Sequence, residues 1–302
     1  MRPPQPLRTA MSRLAMIDMV IAILFAVLPA SSPIASDASL WVATPPTSRK
    51  RGLALKSDSV CADLALFSSL RPWFYGWGSV PSSSDYSKCA NQHDSGFIPM
   101  IWGRRAVSVD VWPNAAALLG FNEPNHKQQS NLQPAEAARL WPSVMHAAHE
   151  AGIARLGSPA AAPCGGGSRK CVDDVLPWLD EFFGNCSNCT VDFIATHSYV
   201  CQASKLRSFL EGVYERYRLP IWLTEFNCGD GSRNASAKEH LQYMKEAVPL
   251  LESLSFVERY AWMSARNTHD VGAALVYGTN SASNLTTLGE WYAHAAGGGG
   301  AV

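Results

Sequence analysis

The strongest constraint on the fold is a series of short apolar runs alternating with helical patterns. The runs lie at 52–56, 73–77, 97–102, 117–121, 155–159, 192–197, 221–225 and 259–263. Most lack polar alternation, as expected for parallel strands covered on both faces. Between them, apolar residues recur at helical spacing over 59–70, 134–151, 172–183, 204–218 and 237–254. Pro134 suits a first helical turn, where its missing N–H costs nothing. Residues 80–96 read as loop, and 104–116 hold one short segment at best. Strand–helix alternation of this length predicts an α/β fold, a (β/α)8 TIM barrel forming one catalytic domain over 49–296. An open doubly wound sheet is the structural alternative, but no Gly-x-Gly-x-x-Gly follows the first run. Gly165-Gly166-Gly167-Ser168 lacks the lysine of a phosphate loop and reads as a flexible connection.

The ends differ from this pattern. Arg2, Arg8 and Arg13 precede an apolar stretch over 16–30, and small residues follow. Residues 1–35 therefore read as a secretory signal peptide. The stretch is short for a spanning helix and contains Asp18, so no membrane span is expected in the mature chain. Residues 36–48 read as a Ser/Pro/Thr-rich linker and 297–302 as a Gly-rich tail. Formal net charge is zero, which gives no support to a nucleic-acid partner.

Eight cysteines fit an oxidising, extracellular or cell-wall compartment. Cys186-Ser187-Asn188-Cys189 has the C-x-x-C spacing but lacks a second ligand pair, so a zinc or redox reading gains nothing. Sequons at Asn185, Asn188, Asn234 and Asn284 fall in predicted loops and are glycosylation candidates.

Two runs end in a carboxylate: the fourth at Gly120-Phe121-Asn122-Glu123-Pro124-Asn125, the seventh at Trp222-Leu223-Thr224-Glu225-Phe226-Asn227. In a strand–helix barrel the C-terminal strand ends carry the chemistry. Two glutamates facing one pocket are the equipment of a retaining glycosidase, in which a proton donor and a carboxylate nucleophile stand about 5–5.5 Å apart. The bland reading of either glutamate is a rim salt bridge or a helix cap. No metal-ligand cluster or cofactor motif appears.

An ordered series of motifs adds to this. It runs Lys50-Arg51-Gly52-Leu53-Ala54, Tyr75-Gly76-Trp77-Gly78-Ser79, Phe97-Ile98-Pro99-Met100-Ile101-Trp102-Gly103 and Gly120–Asn125. It continues with Gly157-Ser158-Pro159-Ala160, Asp192–Tyr199, Ile221–Phe226, Tyr260-Ala261-Trp262-Met263-Ser264 and Leu288-Gly289-Glu290-Trp291-Tyr292. With these landmarks the chain resembles glycoside hydrolase family 128, the glycosyl hydrolase catalytic-core group of endo-β-1,3-glucanases. The resemblance implies a retaining TIM-barrel enzyme with Glu123 as acid/base and Glu225 as nucleophile. It implies sugar contacts from Asn122, a pocket lined by His197 and Tyr199 that orients the nucleophile, and Trp262 as the floor under the reacting sugar. Trp77 and Trp102 are candidates for flanking subsites. Many relatives carry His-Trp-Tyr where this chain has His197-Ser198-Tyr199, one aromatic platform fewer near the cleft.

The reading is a secreted, monomeric endo-β-1,3-glucanase acting on β-glucan. The alternatives are a hydrolase of another β-glycan, such as β-1,6-glucan, or a non-catalytic glycan-binding wall protein. Glu123 is expected to be held protonated by its surroundings and its anionic neighbour. Adjacent barrel strands would bring Cys201 to Cys228. Proximity in sequence suggests Cys61–Cys89, Cys164–Cys171 and Cys186–Cys189.

Overall fold

Five of the expected strands pair into one parallel sheet. They are β1 (Arg51–Ala54), β2 (Trp73–Tyr75), β3 (Ile194–Ser198), β4 (Ile221–Phe226) and β5 (Val257–Trp262), in the order β2-β1-β5-β4-β3. The structure is a computed structural model. It describes residues 48–82, 86–90, 96–165, 170–229, 235–279 and 282–295. The expected signal, nearly all of the linker, the Gly-rich tail and Asn234 lie outside these residues.

The other three expected strands are not continuous ladders. Isolated parallel bridges join Phe74 to Phe97, Met100 to Leu119, Leu118 to Leu156, Asn122 to Ala160, Gly157 to Phe193 and Ala161 to Thr196. Pro99 and Pro159 explain part of this, because proline has no N–H to give a ladder. The segments at 97–101 and 155–161 each contain one, and the segment at 117–122 lies between them. The regular sheet is therefore five-stranded and does not close.

Side chains divide between two cores. Ala54, Trp73, Tyr75, Met100, Leu119, Phe193, Trp222 and Ala261 form one cluster on one face, with no helical member. Leu53, Phe74, Leu223, Phe226, Tyr260 and Trp262 face the other way. They pack against Leu64, Trp141, Leu179, Leu210 and Leu251 of the surrounding helices. The alternation of Trp73, Phe74 and Tyr75 between the two clusters is the two-residue period of a strand.

The helices lie close to their predicted positions: α1 (Val60–Leu66), α3 (Pro134–Glu150), α4 (Val175–Asn185), α5 (Ala203–Tyr217) and α6 (Ala237–Ser253). A short α2 (Tyr86–Cys89) falls in the expected loop. Pro134 opens α3. Asp174 caps α4, accepting from the Val175 N–H. Ser236 and Glu239 form a capping box on α6 and satisfy two orphan N–H groups reciprocally. A small antiparallel hairpin of β6 (Val276–Tyr277) and β7 (Asn284–Leu285) leads into α7 (Thr287–His294), where Thr286 accepts from the Gly289 N–H. None of the described helices is long and apolar enough to cross a membrane.

Four disulfides join Cys61 to Cys89, Cys164 to Cys171, Cys186 to Cys189 and Cys201 to Cys228, the pairs expected. The loop placement of the sequons needs correction. Asn185 is the last residue of α4, which runs past the apolar pattern, and its amide donates to the Glu181 carbonyl at 2.8 Å. Asn284 begins β7. Asn185, Asn188 and Asn284 are all exposed.

Candidate active site

Glu123 sits at the end of the segment 117–122. Its backbone is pinned on both sides: its N–H donates to the Ala160 carbonyl at 3.0 Å, and its carbonyl accepts from His126 N–H at 2.9 Å. Asn125 clamps the turn, donating to the Ala162 and Asp173 carbonyls and accepting from the Ala162 N–H. These bonds hold Glu123 at φ +39°, a left-handed conformation that a non-glycine residue adopts only when its surroundings impose it.

Glu225 reaches the same place from β4. Strand parity from Trp222 would point Glu225 to the opposite face. Between β3 and β4, however, Thr196 pairs with Leu223 and His197 with Glu225, so Thr224 is an extra residue in β4. This bulge returns Glu225 to the face of Trp222 and sets it opposite His197.

The carboxylate of Glu225 is surrounded by donors. Trp77 Nε1 donates to Oε1 at 2.7 Å and the Tyr75 hydroxyl to the same oxygen at 3.1 Å. The Tyr199 hydroxyl donates to Oε2. Burial first, then the Glu225 charge, pushes the phenols of Tyr75 and Tyr199 well above their ordinary pKa, so both remain donors. Three donors thus converge on the Glu225 side chain.

Glu123 has one side-chain hydrogen-bond partner among the described residues, His197, whose Nδ1 lies 2.8 Å from Oε1. The same Nδ1 is 3.5 Å from Glu225 Oε2. One oxygen of each carboxylate and this nitrogen all lie within 4.8 Å of one another. Burial alone would raise the Glu123 pKa. The hydrogen bond and charge of His197, with the charge of His126, outweigh it and hold the carboxyl below its usual value. This corrects the expectation of a Glu123 kept protonated in the free enzyme. Burial alone would lower the His197 pKa, and Glu225 and Glu123 together raise it.

Both glutamates line a cleft of about 780 Å³, with Trp77, Trp102, Asn122, His126, Gln128, Gln129, Lys170, Tyr199 and Met263. It runs past Trp102 into a hollow of about 370 Å³ that also touches Arg104 and Lys127. It also passes Trp77 and Met263 into one of about 520 Å³, beside Lys56 and Asn267. Among the described residues two trios have donor atoms close enough to hold a metal ion. One is Glu123, His197 and Glu225; the other is His126 with Cys164 and Cys171, whose sulfurs are tied to each other.

Two expected residues are placed differently. Trp262 does not line the cleft: it is fully buried against the helices, and its indole donates to the Ala273 carbonyl at 2.8 Å. Strand parity explains this, because Ala261 faces the inner cluster and Met263 the cleft, leaving Trp262 outward. His197 is also fully buried and reaches the site only through its Nδ1. Ser198 is fully buried and does not line the cleft either. Tyr75 had no assigned role, although it stands two residues before Trp77 and so shares its strand face.

Residues 52–292 match the family described as glycosyl hydrolase catalytic core. A solved subgroup II endo-β-1,3-glucanase of glycoside hydrolase family 128 from Sorangium cellulosum is 35% identical. Its TM-score is 0.72, covering 82% of this chain and 98% of that one. The chain belongs to glycoside hydrolase family 128. A subgroup I member from Amycolatopsis mediterranei, solved with laminaritriose, is 32% identical with a TM-score of 0.62, covering 82% of this chain and 99% of that one. Alkali-sensitive linkage protein 1 of Schizosaccharomyces pombe is 34% identical over 230 residues, 73% of this chain. The match spans 39% of that relative's length. This family 128 member is a glycoside hydrolase.

Proposed function

We propose that this hydrolase cleaves β-1,3-glucan internally with retention of anomeric configuration. In this reading Glu225 attacks the anomeric carbon, Glu123 protonates the leaving oxygen, and Glu123 then activates the water that releases the sugar. The observation that carries the reading is the pair of carboxylates in one cleft, with oxygens within 4.8 Å. That closeness fits the narrow carboxyl pair of a retaining site rather than the wide pair of an inverting one. Further support comes from the solved Amycolatopsis enzyme, which binds laminari-oligosaccharides and has been determined with either of two of its glutamates substituted. The hollows that extend the cleft past Trp102 and past Trp77 favour internal attack on a polymer. Trp77 and Trp102 are the stacking surfaces of this reading, and Asn122 is its sugar contact.

The segments at 97–101, 117–122 and 155–161 serve, in this view, as the remaining staves of an eight-stave barrel, linked by bridges rather than ladders. Four disulfides support a secreted protein. The test is a product assay on linear β-1,3-glucan beside β-1,6- and β-1,4-glucans, with proton NMR of fresh product. Early β-anomeric oligosaccharides from the β-1,3 polymer are expected, and nearly no turnover from Glu225→Ala. An initial α-anomer would overturn retention, glucose as the sole early product would overturn internal cleavage, and preference for another linkage would overturn the substrate.

A further inference from the structure

His197 stands between the two glutamates and is closed off from everything else. It is fully buried, and its Nε2 has no hydrogen-bond partner among the described residues. Its Nδ1 is 2.8 Å from Glu123 and 3.5 Å from Glu225. Among the described residues, the two carboxylates are the only groups placed to exchange a proton with Nδ1.

We propose that His197 holds the resting proton of the catalytic pair: the free enzyme keeps Glu123 and Glu225 both ionised around one imidazolium, and Glu123 becomes an acid only when the proton crosses from Nδ1 to its Oε1. This rests on the reading of Glu123 as acid/base and Glu225 as nucleophile. It differs from the usual glycosidase arrangement, in which the acid is protonated at rest by burial and a like-charged neighbour. Here the opposite charge set against both carboxylates removes that pressure.

The step balances. As Glu225 forms its bond to the anomeric carbon it becomes a neutral ester, and the imidazolium loses one of its two counter-charges. The Nδ1–H bond breaks and an Oε–H bond forms on Glu123. That proton passes to the leaving oxygen as the glycosidic bond breaks and its electron pair goes to that oxygen. The glycosyl-enzyme then holds neutral His197 and ionised Glu123. Water attacks the ester, Glu123 takes its proton, Glu225 is released as carboxylate, and the proton returns to Nδ1. The groups acting on this system are Glu123 and Glu225 facing His197, Tyr75 and Tyr199 on Glu225, and His126 near Glu123.

His197 touches no substrate and acts through Glu123, so it is a positioning residue with a proton to give. The test follows its charge directly, by NMR titration of the full chain labelled at its eight histidines. The His197 signal is identified by its loss in His197→Asn. Imidazolium is expected to persist above the ordinary histidine midpoint of about 6.5. Glu225→Gln should lower the midpoint by about one unit or more, because one counter-charge is gone. Trapping the glycosyl-enzyme with a 2-deoxy-2-fluoroglycoside should leave His197 neutral. A neutral His197 in the free enzyme at pH 5, or a midpoint unmoved by Glu225→Gln, would overturn the proposal.

A kinetic arm separates this from a purely structural role. Asparagine keeps an N–H near the Nδ1 position but cannot titrate. His197→Asn should move the basic limb of the kcat/KM profile to lower pH, whereas a structural histidine would leave its position unchanged. If the asparagine variant does not fold, sequential backbone-to-side-chain NMR assignment identifies the His197 signal, and the wild-type and Glu225→Gln titrations decide. Failure of the catalytic reading would show separately, as retained turnover in Glu225→Ala.

Discussion

Breaking the Cys201–Cys228 bridge should damage stability and chemistry together. The bridge ties the chain just after β3 to the chain just after β4, with a sequence separation of 27. Closing a loop of that length restricts the unfolded chain by about 3.5 kcal/mol in the chain-entropy model. The Cys186–Cys189 bridge, with a separation of 3, is worth only about 1.6 kcal/mol by the same relation. The paired variants Cys201→Ser/Cys228→Ser and Cys186→Ser/Cys189→Ser therefore make an internal comparison. For a domain of this size the first should lose roughly 7–14 °C in Tm and the second roughly 3–6 °C. The first bridge also lies two residues after Tyr199 and three after Glu225, whose side chains are hydrogen-bonded. Loosening that contact should cut kcat by about 10–100-fold, since small misplacements at a reacting centre are costly. The second bridge lies beyond α4 and should leave kcat unchanged. Calorimetry and initial rates on a soluble β-1,3-glucan read both effects. Equal Tm losses would refute the loop-length argument, and an unchanged kcat in the first variant would refute the clamp.

Two further outcomes follow from the site. The lowered Glu123 value gives stability that is present above its unfolded pKa and lost as pH falls, while the raised His197 value gives stability present below its unfolded pKa and lost as pH rises. Urea unfolding of wild type against His197→Asn should show the largest difference between about pH 4.5 and 6.5, and a pH-independent difference would count against the pairing. Trp262→Phe should cost about 1–3 kcal/mol, because the Ala273 carbonyl loses its buried donor, while KM stays unchanged. A raised KM with an unchanged Tm would put the ring back in the cleft.

Much of this arrangement is legible in the sequence, because strand-end acids in buried apolar runs have few structural uses. Glu123 and Glu225 do line one cleft. Side-chain direction is harder to read. Parity within Tyr260-Ala261-Trp262-Met263 fixes which ring faces the helices, but only once the phase of the strand is known. At Glu225 parity itself misleads, since nothing in Leu223-Thr224-Glu225 announces the bulge at Thr224. The segments holding Pro99 and Pro159 have the composition of strands, yet proline breaks their ladders. His197 owes its place among the pocket residues to the resemblance alone, because a lone histidine after an apolar run carries no sign of what it will bridge. Its role depends on two glutamates far away in the chain.

The hollows beyond Trp102 and Trp77 have a mechanical consequence. In the proposed internal attack, a cleft that opens past both Trp102 and Trp77 does not need to find a free chain end. On a cross-linked mesh, the number of cutting sites then scales with strand length between junctions rather than with the number of tips. One mid-strand scission removes a whole tension-bearing span, whereas trimming a tip leaves the load path intact. A family 128 hydrolase acting by the proposed internal cleavage would soften such a network long before it released appreciable soluble sugar.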